Sequence, residues 1–123
     1  MAKNKTLVIG ASENPSRYSN KAMRMLQDID EPTIGIGRKK GQAHGVEIIK
    51  DKPPLEDIDT VTLYVSQKYQ DEYIDYVIDE IKPNRIIFNP GTENDQFYRK
   101  AKENGIEAIE ACTLVMIRTG QYN

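Results

Sequence analysis

Apolar residues fall in short β-branched runs separated by stretches of helical spacing, and the two patterns alternate along the chain. Thr6-Leu7-Val8-Ile9 is an unbroken apolar run closed by Gly10, the form of a parallel strand buried on both faces. A turn-rich stretch, residues 11–17, follows with Asn14-Pro15-Ser16 at its centre. Ala22, Met25, Leu26 and Ile29 then recur at helical spacing with charged residues between them. Thr33-Ile34-Gly35-Ile36 reads as a second strand and residues 37–45 as a basic loop. Val46-Glu47-Ile48-Ile49 has the pattern of a short extra strand, and Pro53-Pro54 closes that segment.

The second half repeats the alternation. Val61-Thr62-Leu63-Tyr64-Val65 predicts a strand, and Ile74, Val77, Ile78 and Ile81 a helix brought to an end by Pro83. Arg85-Ile86-Ile87-Phe88 is the next strand. Thr92 reads as the N-cap of a further helix with Glu93 and Asp95 in its acidic first turn, running through Phe97 and Ala101 to a C′ glycine at Gly105. Residues 106–109 form a last strand and residues 113–118 a final helical turn or two. Strand and helix at this regular interval imply βαβ units with right-handed crossovers. The expected fold is a single α/β Rossmann-like domain over residues 1–123: a doubly wound, mainly parallel five-stranded sheet with helices on both faces.

Composition narrows the function classes. The 123 residues include 17 basic and 19 acidic side chains, a net charge of -2, which argues against a general binder of nucleic acid or anionic membrane. No apolar run approaches the roughly 20 residues that span a bilayer. The run that ends at Gly10 is too short for the apolar core of a signal peptide, so a cytoplasmic location is expected. The one cysteine, Cys112, excludes an internal disulfide, and with the one histidine, His44, it excludes a four-ligand structural zinc site of the usual kind.

In doubly wound sheets, ligands sit beyond the carboxyl ends of the strands, so the residues following each strand carry the functional argument. After the first strand, Gly10 allows a tight turn, and the small Ala11 and Ser12 let backbone N–H groups approach a phosphate at the next helix N-terminus. The full GxGxxG fingerprint is absent, since Ser12 stands at the second glycine position. After the second strand, where an NAD-binding fold carries an acid for the ribose hydroxyls, this chain has Gly37-Arg38-Lys39-Lys40. Three cations there suit a ribose phosphate, that of NADP or of coenzyme A, and equally suit a plain solvated loop. Asn89-Pro90-Gly91-Thr92 can present backbone amides at a second helix N-terminus, or serve as an ordinary turn. After the next strand, Val65-Ser66-Gln67 lies where an adenine would pass, although any buried strand end has the same look.

Nucleophilic catalysis has little support. Gly10-Ala11-Ser12 begins like a nucleophile elbow, but Asn14 replaces its last glycine, and no GK[ST] phosphate loop exists. Cys112 precedes a helix, where a thiolate is stabilised, although a lone cysteine more often serves as a small buried hydrophobe. Tyr64, Tyr69, Tyr73 and Tyr76 make an aromatic cluster assigned to packing or to a solvated face. No catalytic or metal-binding residue is assigned.

Taken in order, Gly10-Ala11-Ser12 with Pro15 and Tyr18, Asn89-Pro90-Gly91, and Cys112 followed by Leu114-Val115 resemble the small CoA-binding domain proteins. These are similar to the CoA-binding domain of succinyl-CoA synthetase alpha subunits and of NDP-forming acyl-CoA synthetases. The resemblance extends over residues 5–118. It implies a CoA diphosphate over the first loop, with Gly10, Ala11, Ser12, Pro15, Arg17 and Tyr18 around the phosphates or adenosine. It further implies Lys39 as the lysine that follows strand two, and contacts from Val65 and Pro90. Gly37-Arg38 stands where the family commonly has Asn-Pro, and Ser19 where it commonly has glycine. The large synthetases carry their phosphorylated histidine in a second domain, so the resemblance implies ligand binding without implying the ligase chemistry.

Three readings stand open. The leading one is a stand-alone module that binds coenzyme A or an acyl-CoA through residues 10–12, Pro15, Arg17, Tyr18, Arg38, Lys39, Lys40, Val65, Pro90 and Gly91, without ligase chemistry. The second is an NADP-dependent reductase or sensor sharing the basic loop. The third is an interaction protein on a degenerate nucleotide fold, with an empty crevice and a surface such as the Tyr69 to Tyr76 helix binding a protein partner. Monomer and homodimer are both compatible with the sequence.

Overall fold

In the computed structural model, which describes residues 3–123, the first apolar run becomes the central strand β1 (Lys5–Ile9). Its side chains alternate between two cores, as the period of two requires. Leu7 and Ile9 enter a cluster with Val61, Leu63, Val77, Phe88 and Phe97, while Val8 meets Met23, Leu26, Ile48 and Ile87 on the other face. The remaining strands are β2 (Thr33–Ile36), β3 (Gly41–Ala43), β4 (Val46–Ile49), β5 (Ile58–Leu63), β6 (Arg85–Phe88) and β7 (Glu107–Glu110). They form one sheet in the order β3-β4-β2-β1-β5-β6-β7. Every pairing is parallel except that of β3 with β4. The order reverses between β1 and β5, which places the switch point of the sheet at the carboxyl end of β1.

Helices cover both faces. The helices α1 (Tyr18–Asp28) and α4 (Thr113–Arg118) share the Val8 face. The Leu7 face is covered by α2 (Asp71–Asp75), which runs directly into a π-helical segment, Tyr76–Ile81, and by α3 (Asp95–Glu103). Ile74, Val77, Ile78 and Ile81 are all buried, so the apolar stripe read in the sequence is the stripe that packs. No helix among the described residues is long and apolar enough to cross a membrane.

The sheet has seven strands, not five. The two additional strands, β3 and β4, come from the segment read as a basic loop and from the short run after it. Val46 and Ile48 are buried against the Val8 face, which makes β4 a core strand paired with β2 through Gly35 and Ile48. β3 returns along β4, with Ala43 opposite Val46, so the hairpin loop is only His44 and Gly45. Both have positive φ, 55° and 81°, the two-residue turn whose twist suits a hairpin. This hairpin takes the place of a crossover helix between β2 and β4.

Two boundaries also differ. β5 ends at Leu63, leaving Tyr64 and Val65 beyond the strand. The N-cap of α3 is Asn94, whose side chain accepts from Phe97 N at 3.2 Å, whereas the Thr92 hydroxyl donates to Asn89 O at 2.8 Å. An asparagine two residues later served the exposed N–H groups, and the threonine was drawn into the turn before it.

Candidate functional site

The carboxyl ends of the central strands are joined by hydrogen bonds that continue the ladder into the loops. Ile36 O accepts from both Gly10 N, at 2.8 Å, and Ala11 N, at 2.9 Å. Gly37 N donates to Ile49 O, and Tyr64 N donates to Ile9 O at 2.8 Å. Gly10 has φ +95°, and a Cβ there would stand 2.8 Å from the Tyr64 carbonyl oxygen. A Cβ on Gly37 would fall 2.2 Å from Ala11 O. The loops after β1, β2 and β5 therefore touch at the switch point because two of the contacting residues lack side chains.

The first loop is shaped by its own side chains. Ser12 Oγ accepts from Asn14 N at 3.1 Å, and Asn14 Oδ1 accepts from Ser16 N at 3.0 Å and Ser16 Oγ at 2.8 Å. This pair of side-chain turns delivers the chain to α1 with Arg17 in the N-cap position. Among the described residues no side chain caps α1, and its first turn holds no acid. The positive end of this helix is left uncompensated, with Arg17 and Lys21 beside it. The α3 N-terminus is the opposite case. Asn94 caps it, Asp95 opens it, and Glu93 Oε1 accepts from Gly91 N at 2.9 Å. Of the two helix ends that the sequence offered to an anion, only α1 is open.

The β3–β4 hairpin fastens the first loop from the side. Buried Asn20 donates through Nδ2 to Ser12 O at 2.9 Å, which leaves its Oδ1 to accept from His44 Nε2 at 2.8 Å. Glu13 Oε2 accepts from Gln42 N at 3.1 Å, its carboxylate lying over Gly41. Sequence reasoning missed Glu13, Asn20 and His44 as supports. The one available signal was an asparagine on the apolar side of the α1 pattern.

Arg38, Lys39 and Lys40 are exposed, and none of them joins an ion pair among the described residues. The Arg38 guanidinium lies 5.2 Å from the centroid of the Tyr69 ring. Pro15, Arg17 and Tyr18 are exposed along the entrance to α1, with the Lys21 ammonium 5.1 Å from the Tyr18 ring centroid. Val65 is half-buried, and its carbonyl accepts from Gln70 Nε2 at 2.7 Å. Pro90 and Gly91 sit farther along the rim, exposed, past β6. Residues 10–12 and Arg38, Lys39 and Lys40 thus follow neighbouring strands at the switch point, with Arg38 reaching across β1 to Tyr69, and Pro90 and Gly91 follow β6, two strands from β1.

Behind this rim lies a buried polar frame. Asn89 donates to Thr62 Oγ1 at 2.7 Å and Leu63 O at 2.9 Å, and accepts from Thr113 N at 2.9 Å. Gln70 donates to Val65 O and Thr92 O, both at 2.7 Å, and accepts from Asn94 Nδ2 at 2.9 Å. These two side chains tie the loops after β5, β6 and β7 together, and their polar atoms are committed to that task. Tyr64 is different: its buried hydroxyl has no hydrogen-bond partner among the described residues, and burial raises its pKa far above the ordinary phenol range. Cys112 is free and partly buried at the N-cap of α4.

A concavity of about 380 Å³ lies at the opposite rim, where Lys5, Thr33 and Ile58 begin their strands. Glu47 and Glu56 line it with a single lysine, a poor setting for a phosphate. The switch point, with its open helix end and free cations, is the stronger site.

The model of the CoA binding domain family matches residues 4–118 of the chain. Among solved structures, one described as an uncharacterized protein is 42% identical, with a TM-score of 0.93 over 99% of this chain and 100% of its own. A hypothetical protein from Pyrococcus horikoshii OT3 is 24% identical, with a TM-score of 0.84 over 95% of this chain and 83% of its own. A Thermus thermophilus protein is 19% identical, with a TM-score of 0.77 over 97% and 91%. The last two likenesses concern the fold alone. No curated protein matches.

Proposed function

The chain belongs to the CoA binding domain family, and from this we propose that it is a module that binds coenzyme A or an acyl-CoA at the carboxyl ends of β1, β2 and β5, with no ligase chemistry of its own. The observation that supports the reading is the close approach of Gly37 to Ala11 O, which joins the loop carrying Arg38, Lys39 and Lys40 to the loop that leads into the uncapped α1 N-terminus. Coenzyme A has two anionic groups to satisfy, a diphosphate and a ribose 3′-phosphate, and the site offers two electropositive positions. The diphosphate lies over residues 10–12 and the α1 amides, flanked by Pro15, Arg17 and Tyr18. The 3′-phosphate faces Arg38, Lys39 and Lys40. Val65 supplies an apolar contact for the nucleoside. Pro90 contributes at most a backbone or ring contact from the neighbouring loop, because the Gly91 amide is engaged by Glu93.

Asn89 and Gln70 behind the site are engaged by their own partners, and no residue is assigned to acid, base or nucleophile work. The family match supports coenzyme A; the NADP alternative has only the basic loop in its favour. A thermal-shift series with CoA, acetyl-CoA, dephospho-CoA, NAD and NADP tests the reading. Ligand at a hundred times its Kd stabilises by about 2.7 kcal/mol. The expected result is a shift with CoA that shrinks with dephospho-CoA. A shift with NADP alone, or none with any of the five, would overturn it.

A further inference from the structure

The contact between Arg38 and Tyr69 is left unexplained by phosphate binding. Arg38 follows β2 and Tyr69 follows β5, the two strands that flank β1. Strands two places apart are about 10 Å from each other. The guanidinium and the ring, 5.2 Å apart, therefore reach toward one another across the end of β1, over the place where strand order reverses. Tyr69 is 48% exposed, and Tyr18, at 67%, is the other tyrosine that stands out from the surface. The Tyr69 ring also stands on a rigid support. Tyr69 closes a 3-10 turn, with its N–H donating to Ser66 O at 3.0 Å, and the next residue is the fully buried Gln70 that binds the loops after β5 and β6. The Lys68 ammonium also lies over the ring, 4.9 Å from its centroid, and Lys68, Tyr69, Asp71 and Glu72 line a concavity of about 270 Å³.

A fixed, exposed aromatic ring beside a cation is a stacking surface for a nucleobase, since every base has a π-face. We infer that Tyr69 is the base-recognition residue of the site: the adenine of the bound nucleotide stacks on its ring in the place the Arg38 guanidinium now holds, and the displaced Arg38 turns to the ribose phosphate. The inference rests on the nucleotide reading above and adds a residue and a specificity to it. A ligand without a base, such as 4′-phosphopantetheine, gains nothing from Tyr69.

The test is calorimetric titration of CoA, dephospho-CoA and 4′-phosphopantetheine into the wild type, Tyr69→Ala and Tyr69→Phe, with proton NMR of the adenine H2 and H8 signals. Stacking predicts that Tyr69→Ala weakens CoA and dephospho-CoA alike by about tenfold, leaves 4′-phosphopantetheine unchanged, and abolishes the upfield shift of the adenine protons. Tyr69→Phe keeps both affinity and shift. Wild-type affinity for CoA in Tyr69→Ala would overturn the assignment and leave the proposed function standing. An equal loss for 4′-phosphopantetheine would also overturn it, because the substitution would then act on the phosphate loop. Failure of the wild type to bind CoA would overturn both.

Discussion

Gly37 and Ala11 approach so closely that a methyl group on Gly37 would overlap the Ala11 carbonyl oxygen, at 2.2 Å. The oxygen belongs to the backbone, so relief requires one loop to move. Gly37→Ala is expected to cost about 1–3 kcal/mol of stability, the range for overpacking. It should also weaken CoA more than its stability loss implies, because the cations move away from the first loop. Urea denaturation and ligand titration of the same variant separate the two effects. An unchanged affinity would show that the loops bind independently.

The basic loop provides a second check. Lys39 and Lys40 are exposed and unpaired among the described residues, so their replacement removes charge without leaving a buried partner. A Lys39→Ala, Lys40→Ala double variant should keep its melting temperature and lose about tenfold or more in affinity for CoA. The loss should be smaller for dephospho-CoA and should shrink as salt rises. Equal weakening of the two ligands would remove the basic loop from 3′-phosphate recognition.

Asn89 tests the frame behind the site. It is 1% exposed and joins Thr62, Leu63 and Thr113 through its side chain. Asn89→Ala leaves the Thr113 N–H and the Leu63 carbonyl without those partners, and each buried unsatisfied group costs about 1–3 kcal/mol. A destabilisation of about 3 kcal/mol is expected in chemical denaturation. A loss below 1 kcal/mol would mean that water enters and replaces the side chain.

Alkaline pH tests the amino-terminal end of the sheet. Tyr122 is buried under Thr6, whose hydroxyl lies 2.5 Å from the phenol oxygen, and the Arg85 guanidinium sits 4.7 Å from its ring centroid. Burial pushes its pKa up to about 12 from an ordinary 10. Between those values the folded chain holds the proton that the unfolded chain releases, so stability falls as pH rises from 10 to 12. The loss is about 2 kcal/mol by pH 12. Tyr122→Phe should start slightly less stable at pH 7, for want of the Thr6 hydrogen bond, and show a flatter profile above pH 10. Parallel profiles for the two proteins would contradict the assignment.

The alternation of strand and helix, the doubly wound class and the positions of residues 10–12 and Arg38, Lys39 and Lys40 at strand ends were legible in the sequence by itself. A parallel strand buried on both faces appears as a contiguous apolar run, and the residues after the run fall at the functional rim by construction. The β3–β4 hairpin was not legible. Its turn needs positive φ at both His44 and Gly45, and only the glycine announces that; β3 is three residues long with no alternating pattern. Nor could the sequence show that the α1 N-terminus is open while α3 is closed by Glu93 and Asn94, because capping depends on which side chain reaches an amide first. The pairing of Arg38 with Tyr69 is a product of strand order alone. Local propensities shape each loop, but only the packing of β2 and β5 on either side of β1 decides which loops face each other.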